Sequence, residues 1–144
     1  VLTDTQGYVT LFDVYGRQEL YRFEPGFSGW SLSGARFVPA GDALLLAAGP
    51  LLLVWDVAAR EPRAEVVLGF WPHFEAVCSP TAPLFLALNR DGLPTVYRLG
   101  TGEPVRALDF ALGAQVLCAA FSPDGLTCAV GGSNRQFAVF DVDA

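Results

Sequence analysis

Lysine, isoleucine and methionine are absent from this 144-residue chain, and histidine occurs once. All nine basic residues are therefore arginine, a bias that a GC-rich coding sequence explains without any demand for guanidinium groups. A single histidine, His73, excludes a two-histidine metal site. Charge is also scarce: 17% of residues are charged and the net charge is -6. That balance argues against nucleic acid or an anionic membrane as the partner, because both need concentrated positive charge. The three cysteines, Cys78, Cys118 and Cys128, form no CxxC pair. They read as reduced thiols in apolar runs, which points to an intracellular, cytoplasmic setting. No phosphate-cradling glycine motif precedes a helix, and "GFSGW" at Gly26–Trp30 lacks the spacing of a nucleophile elbow. The longest uncharged run, Ala43–Trp55, is too short to cross a bilayer and is broken by Gly49-Pro50. It reads as two buried strands joined by a tight turn, so no membrane insertion is expected. The missing methionine, together with an opening inside a strand-like stretch, leads us to expect part of a longer chain.

What is present is apolar and punctuated. Hydrophobic residues make up 52% of the chain, enough for a real core. An aromatic followed by a polar residue recurs as Phe12-Asp13, Trp55-Asp56, Tyr97-Arg98 and Phe140-Asp141, at spacings of 43, 42 and 43. Pro39, Pro80 and Pro123 keep nearly the same period, and so do Glu61-Pro62 and Glu103-Pro104. Around these markers, "YVTLFDV" and "QFAVFDV" alternate β-branched or aromatic residues with smaller or polar ones, as strands with two unlike faces do. Pro123-Asp124-Gly125 carries turn chemistry, and Thr101-Gly102-Glu103-Pro104 is a second turn. Asp91 and Asn134, each six residues before its aromatic, suit a tight turn between strands. No room remains for a helix of ordinary length. A period in the low forties with four strands per unit is the signature of a propeller blade.

The chain resembles the WD-repeat β-propeller family, most specifically through "FSPDG" at Phe121–Gly125 and "VWDV" at Val54–Val57. The other copies are degenerate: "FVPAGD" and "CSPTAP" stand where "FSPDG" would. The implied fold is all-β, an arc of about 3.3 four-stranded antiparallel blades, part of a propeller that the resemblance makes seven-bladed. The units are residues 1–24 (a partial blade), 25–69 and 70–109 (full blades), and 110–144 (a partial blade). Trp55, Tyr97 and Phe140 are expected between blades, beside the polar partners Asp56 and Asp141. In the family, a histidine before the first strand joins the turn aspartate and a tryptophan in a hydrogen-bonded network. His73 and Asp91 match two of those positions, but Tyr97 replaces the tryptophan, so the implied role of all three is structural.

The resemblance also implies where partners would bind. One propeller face carries the loops entering each blade and the turns between second and third strands. Phe27, Trp30, Phe70 and Trp71 lie in the first set, Arg90 and Arg135 in the second. Aromatic and arginine side chains are the usual anchors of protein interfaces. The expected function is thus a non-catalytic protein–protein interaction scaffold in a multiprotein assembly, with no catalytic residues, metal or cofactor. Its partners would be other proteins and the remaining blades of the same propeller. The alternative is a ligand-binding or enzymatic propeller with its site at the central channel. A narrower expectation, a microtubule, ciliary or centriolar assembly, rests on the likeness of "VGGSNRQFAVFDV" to repeats in such proteins.

Overall fold

A computed structural model describes residues 1–27, 29–68, 76–109 and 115–143. Among these residues it contains fourteen strands and no helix. The strands form four antiparallel sheets in chain order. The first holds β1 (Leu2–Thr3), β2 (Val9–Asp13) and β3 (Gln18–Phe23). The second holds β4 (Leu32–Phe37), β5 (Ala43–Ala48), β6 (Leu51–Asp56) and β7 (Glu61–Val67). The third holds β8 (Val77–Cys78), β9 (Leu84–Leu88), β10 (Pro94–Arg98) and β11 (Pro104–Ala107). The fourth holds β12 (Val116–Phe121), β13 (Thr127–Gly132) and β14 (Phe137–Asp141). Every sheet is a meander, so each strand pairs with its sequence neighbours. The all-β architecture expected from the 43-residue rhythm is the one observed.

The period-2 pattern explains how the sheets stack. Successive residues of a strand face opposite sides, and cross-strand pairs share a side. In the second sheet, Leu45, Leu52, Val54 and Val66 join one core cluster with Phe85, Ala87 and Tyr97 of the third sheet. The alternate residues Leu44, Leu46, Leu53 and Trp55 join another with Val9 and Leu11 of the first sheet. A third cluster links Leu86, Leu88 and Val96 of the third sheet to Cys128 and Val130 of the fourth. The inner sheets thus bury both faces, which is why "ALLLAA" and "LLLVW" read as continuous apolar runs.

Turns repeat with the sheets. The dipeptide aspartate caps the turn from the third strand to the fourth: Asp13 Oδ1 accepts the Tyr15 and Gly16 N–H groups at 3.0 and 2.9 Å, and Asp56 Oδ1 accepts Ala59 N–H at 2.7 Å. Arg63 reinforces the second copy. Its Nε donates to Asp56 Oδ2 at 2.8 Å, and its Nη1 lies 2.9 Å from Asp42 Oδ2. The Ala59 N–H and the Arg63 guanidinium hold the Asp56 carboxyl below the ordinary carboxylate range. In the FSPDG turn, Asp124 Oδ1 accepts Leu126 N–H at 3.0 Å while Gly125 takes φ 73°. Each outer ladder shifts register just before the aromatic, at Leu11/Phe12, Val54/Trp55 and Val96/Tyr97, so Leu20, Arg63 and Val105 are the extra residues of three equivalent bulges.

Polar contacts pin neighbouring sheets at their ends. Tyr21 Oη donates to the Val57 carbonyl at 3.3 Å, and the Arg60 guanidinium lies 4.5 Å from the Tyr21 ring centroid. Thr81 Oγ1 donates to the Asp124 carbonyl at 2.9 Å, and Arg106 Nη1 to the Asp141 carbonyl at 2.9 Å.

Candidate partner-binding surface

Meander topology places the β1–β2, β5–β6, β9–β10 and β13–β14 turns at one end of the stack, with the segments that enter each first strand. The turns are built alike. Asp4 Oδ1 accepts from Gln6 and Tyr8 N–H at 2.9 and 3.0 Å, and Asn89 Oδ1 accepts from Asp91 and Leu93 N–H at the same two distances. A left-handed residue follows, Gly7 (φ 87°), Gly92 (φ 79°) and, in the fourth sheet, Arg135 (φ 67°). Glycine takes that conformation without penalty and arginine does not. Arg135 thus holds, exposed, a backbone shape that glycine serves elsewhere.

The β5–β6 connection is the shortest. Gly49 (φ 56°) and Pro50 form a two-residue turn, and the Trp30 ring lies directly over Gly49. A Cβ added at Gly49 would run into that ring. Gly49→Ala is expected to lose about 1–2 kcal/mol from backbone strain alone and to move Trp30 into water. A thermal melt combined with a red shift of tryptophan emission checks this outcome. An unshifted spectrum would show that Trp30 does not rest on the turn.

The six residues expected to meet a partner are placed differently. Trp30 is 43% exposed, whereas Phe27 packs against the cluster between the first and second sheets. Arg90 and Arg135 are exposed, and among the described residues neither side chain makes a hydrogen bond or ion pair. Phe70 and Trp71 lie outside the described residues, as does His73. Of the remaining residues expected to be structural, Trp55 and Tyr97 are buried between sheets, and Phe140 packs against the cluster between the third and fourth. Asp56 caps its turn, and Asp141 Oδ1 accepts Asp143 N–H at 3.0 Å. The Asp91 carboxylate makes no hydrogen bond among the described residues; Asn89 ties the turn instead.

One groove opens beside these turns, between the second and third sheets. It encloses about 490 Å³ and runs along Glu65–Val67 of β7, past Tyr97, to Gly102 and Pro104. The turn residues Asn89, Arg90 and Asp91 form its other rim. At Gly102 the sheets close together, and an added Cβ would come within 2.6 Å of Val66 Cγ2. The groove thus mixes apolar groups (Val66, Val67, Tyr97 and Pro104) with one cation, Arg90, and two carboxylates, Glu65 and Asp91. Sequence reasoning singled out Arg90, Asp91 and Tyr97 but missed the β7 residues and Asn89. A groove wall drawn from two repeats leaves no local signal. For Asn89, its place at the head of a tight turn was the available clue.

The buried groups carry no reactive signature. Burial pushes the Cys78 thiol up to about 11, and burial also raises Cys128 and Tyr97. Among the described residues, no group of three or more His, Cys, Asp or Glu is placed to hold a metal ion, and no helix is long and apolar enough to cross a membrane.

No family model matches the chain, and neither does any curated protein. Solved structures do. A chain of the crystal structure of the mitotic checkpoint complex superposes with a TM-score of 0.74 at 13% identity, over 96% of this chain. The present chain spans 42% of the length of that one. At this identity the likeness establishes architecture: an all-β repeat of antiparallel sheets resembling a propeller fragment. The fold recurs in 666 chains of solved structures, so architecture by itself selects no partner.

Proposed function

We propose that the chain is a WD-repeat propeller segment acting as a non-catalytic scaffold, and that it binds an extended peptide or protein loop in the groove between the second and third sheets. The observation that carries this reading is the groove itself, in which Val67, Tyr97 and Pro104 stand among the charged side chains of Glu65, Arg90 and Asp91. The apolar groups give a side chain of the partner a place to bury, and the three charged groups would orient it. Likeness to a chain from a multiprotein complex agrees with a role in assembly. The free thiols Cys78, Cys118 and Cys128 agree with a reducing, intracellular setting.

Capture of partners from a lysate by immobilised wild-type chain and by Arg90→Ala with Asp91→Ala tests the reading. The double variant is expected to lose at least one partner by roughly tenfold or more. Arg17→Ala, at the opposite end of the stack, should lose none. Equal recovery on all three proteins would remove the groove as the site.

A further inference from the structure

The tripeptide Asp-Gly-Leu occurs twice, at Asp91–Leu93 and at Asp124–Leu126. Each copy turns one strand into the next, β9 into β10 and β12 into β13. Each glycine takes a left-handed conformation, φ 79° at Gly92 and φ 73° at Gly125. Each glycine N–H donates to a carbonyl at the head of its turn, Gly92 to Asn89 at 3.0 Å and Gly125 to Ser122 at 2.9 Å. The two backbones are matched, and the carboxylates are what differ.

Asp124 is tied down. Its Oδ1 accepts Leu126 N–H at 3.0 Å and the Ser122 hydroxyl. Thr81 Oγ1, from the third sheet, holds the Asp124 carbonyl at 2.9 Å. The Ser122 hydroxyl and the Leu126 N–H also keep the Asp124 carboxyl below the ordinary carboxylate range, so its neutral form is scarce. Asp91 has no such ties. It is exposed, and its carboxylate makes no hydrogen bond among the described residues. The Leu93 N–H, equivalent to that of Leu126, goes to Asn89 Oδ1 at 3.0 Å instead. The Asp91 side chain is thereby left over in its own turn.

A carboxyl group next to glycine is open to attack by its own chain, because no Cβ shields the glycine nitrogen. We propose that Asp91-Gly92 is a site of spontaneous isomerisation, where the Asp91 side chain becomes part of the backbone. The Gly92 nitrogen adds to Cγ of the neutral Asp91 carboxyl group. A C–N bond forms and one water leaves, made of the carboxyl OH and the amide proton. The product is a five-membered succinimide. One water then adds back to the ring. Cleavage of the new Cγ–N bond restores aspartate. Cleavage of the original peptide C–N bond gives isoaspartate, of unchanged mass, and water is the only co-reactant. Isoaspartate lengthens the turn by one backbone atom, so the bonds from Asp91 and Leu93 N–H to Asn89 Oδ1 cannot both persist. Asp91 also lines the groove, so the altered turn belongs to the proposed binding site, but the isomerisation does not depend on that reading.

The test is to keep the purified chain for weeks near neutral pH at body temperature and then digest it with trypsin. Cleavage after arginine puts the two sites in separate peptides, 91–98 and 107–135. Electron-transfer fragmentation distinguishes isoaspartate from aspartate in each. Isoaspartate should accumulate about tenfold or more faster at position 91 than at position 124. In urea the two rates should converge, because the tripeptides are the same. Ser122→Ala should raise the rate at position 124 by about tenfold and leave position 91 unchanged. An unchanged β signal in circular dichroism shows that this variant is folded. Equal rates at the two sites of the folded chain would overturn the proposal. So would isoaspartate that forms at position 91 only in urea, or a folded Ser122→Ala variant in which position 124 stays as slow as before.

Discussion

Phe85→Ala is expected to destabilise the fold by about 3–5 kcal/mol, one of the two largest effects of any single substitution proposed for this chain. Phe85 is fully buried on the side of β9 that faces the second sheet, and its ring stacks on Tyr97 at a centroid distance of 5.2 Å. Removing it empties the junction where Leu45, Val54 and Ala87 converge. Neighbouring sheets cannot collapse into such a void without shifting their ladders, so both transfer and cavity costs apply. The melting midpoint should fall by roughly 10–15 °C. Phe85→Leu, which keeps most of the volume, should cost no more than about 1.5 kcal/mol. If alanine and leucine melt alike, the junction is not packed as described.

Trp55→Ala should cost a similar ~3–5 kcal/mol, but Trp55→Phe only about 1 kcal/mol. Trp55 is 8% exposed and stacks on Phe23 at 4.2 Å with the rings 16° from parallel. Its ring fills the junction between the first and second sheets. Its Nε1 is buried without a hydrogen-bond partner among the described residues. The apolar side chain directly across the ladder, Leu44, has nothing to accept that proton. Phenylalanine would remove the unsatisfied donor and keep the stack, so the lost volume is partly offset. Urea melts of the three proteins measure the difference. A phenylalanine variant as weak as the alanine one would mean that the indole nitrogen is satisfied after all.

Both predictions act on features that are visible in sequence to different degrees. The aromatic dipeptides announced the repeat because each recurs at one place in a strand whose alternation is fixed by the pleat. The dipeptide aspartates at positions 56 and 141 could be marked as structural, but the work of Asp56 as a turn cap, which Asp13 repeats, emerged only with the backbone. Phe27 and Trp30 show the limit for exposed loops. Both are aromatic and three residues apart, yet one packs into a core and the other rests on Gly49. Nothing local separates them, because the deciding neighbours come from β5, β6 and the preceding sheet. The groove was equally hidden, since β7 and the β9–β10 turn belong to different repeats. The bulges escaped notice for another reason: the extra residues Leu20, Arg63 and Val105 share no side-chain chemistry, and only the ladder counts them.

Those three bulges bear on how the protein fails as well as how it folds. The bulges sit on β3, β7 and β11, the outer strands of the first three sheets, each a line of backbone groups that could template growth into fibrils. An extra residue in mid-strand bends that line and twists it away from flat, in-register stacking. Charge at Glu61, Arg63 and Glu65, and the missing N–H of Pro62, spoil it further along β7. When this chain is stressed by heat or crowding, its sideways route to amyloid is obstructed, and precipitation should proceed through amorphous collapse instead.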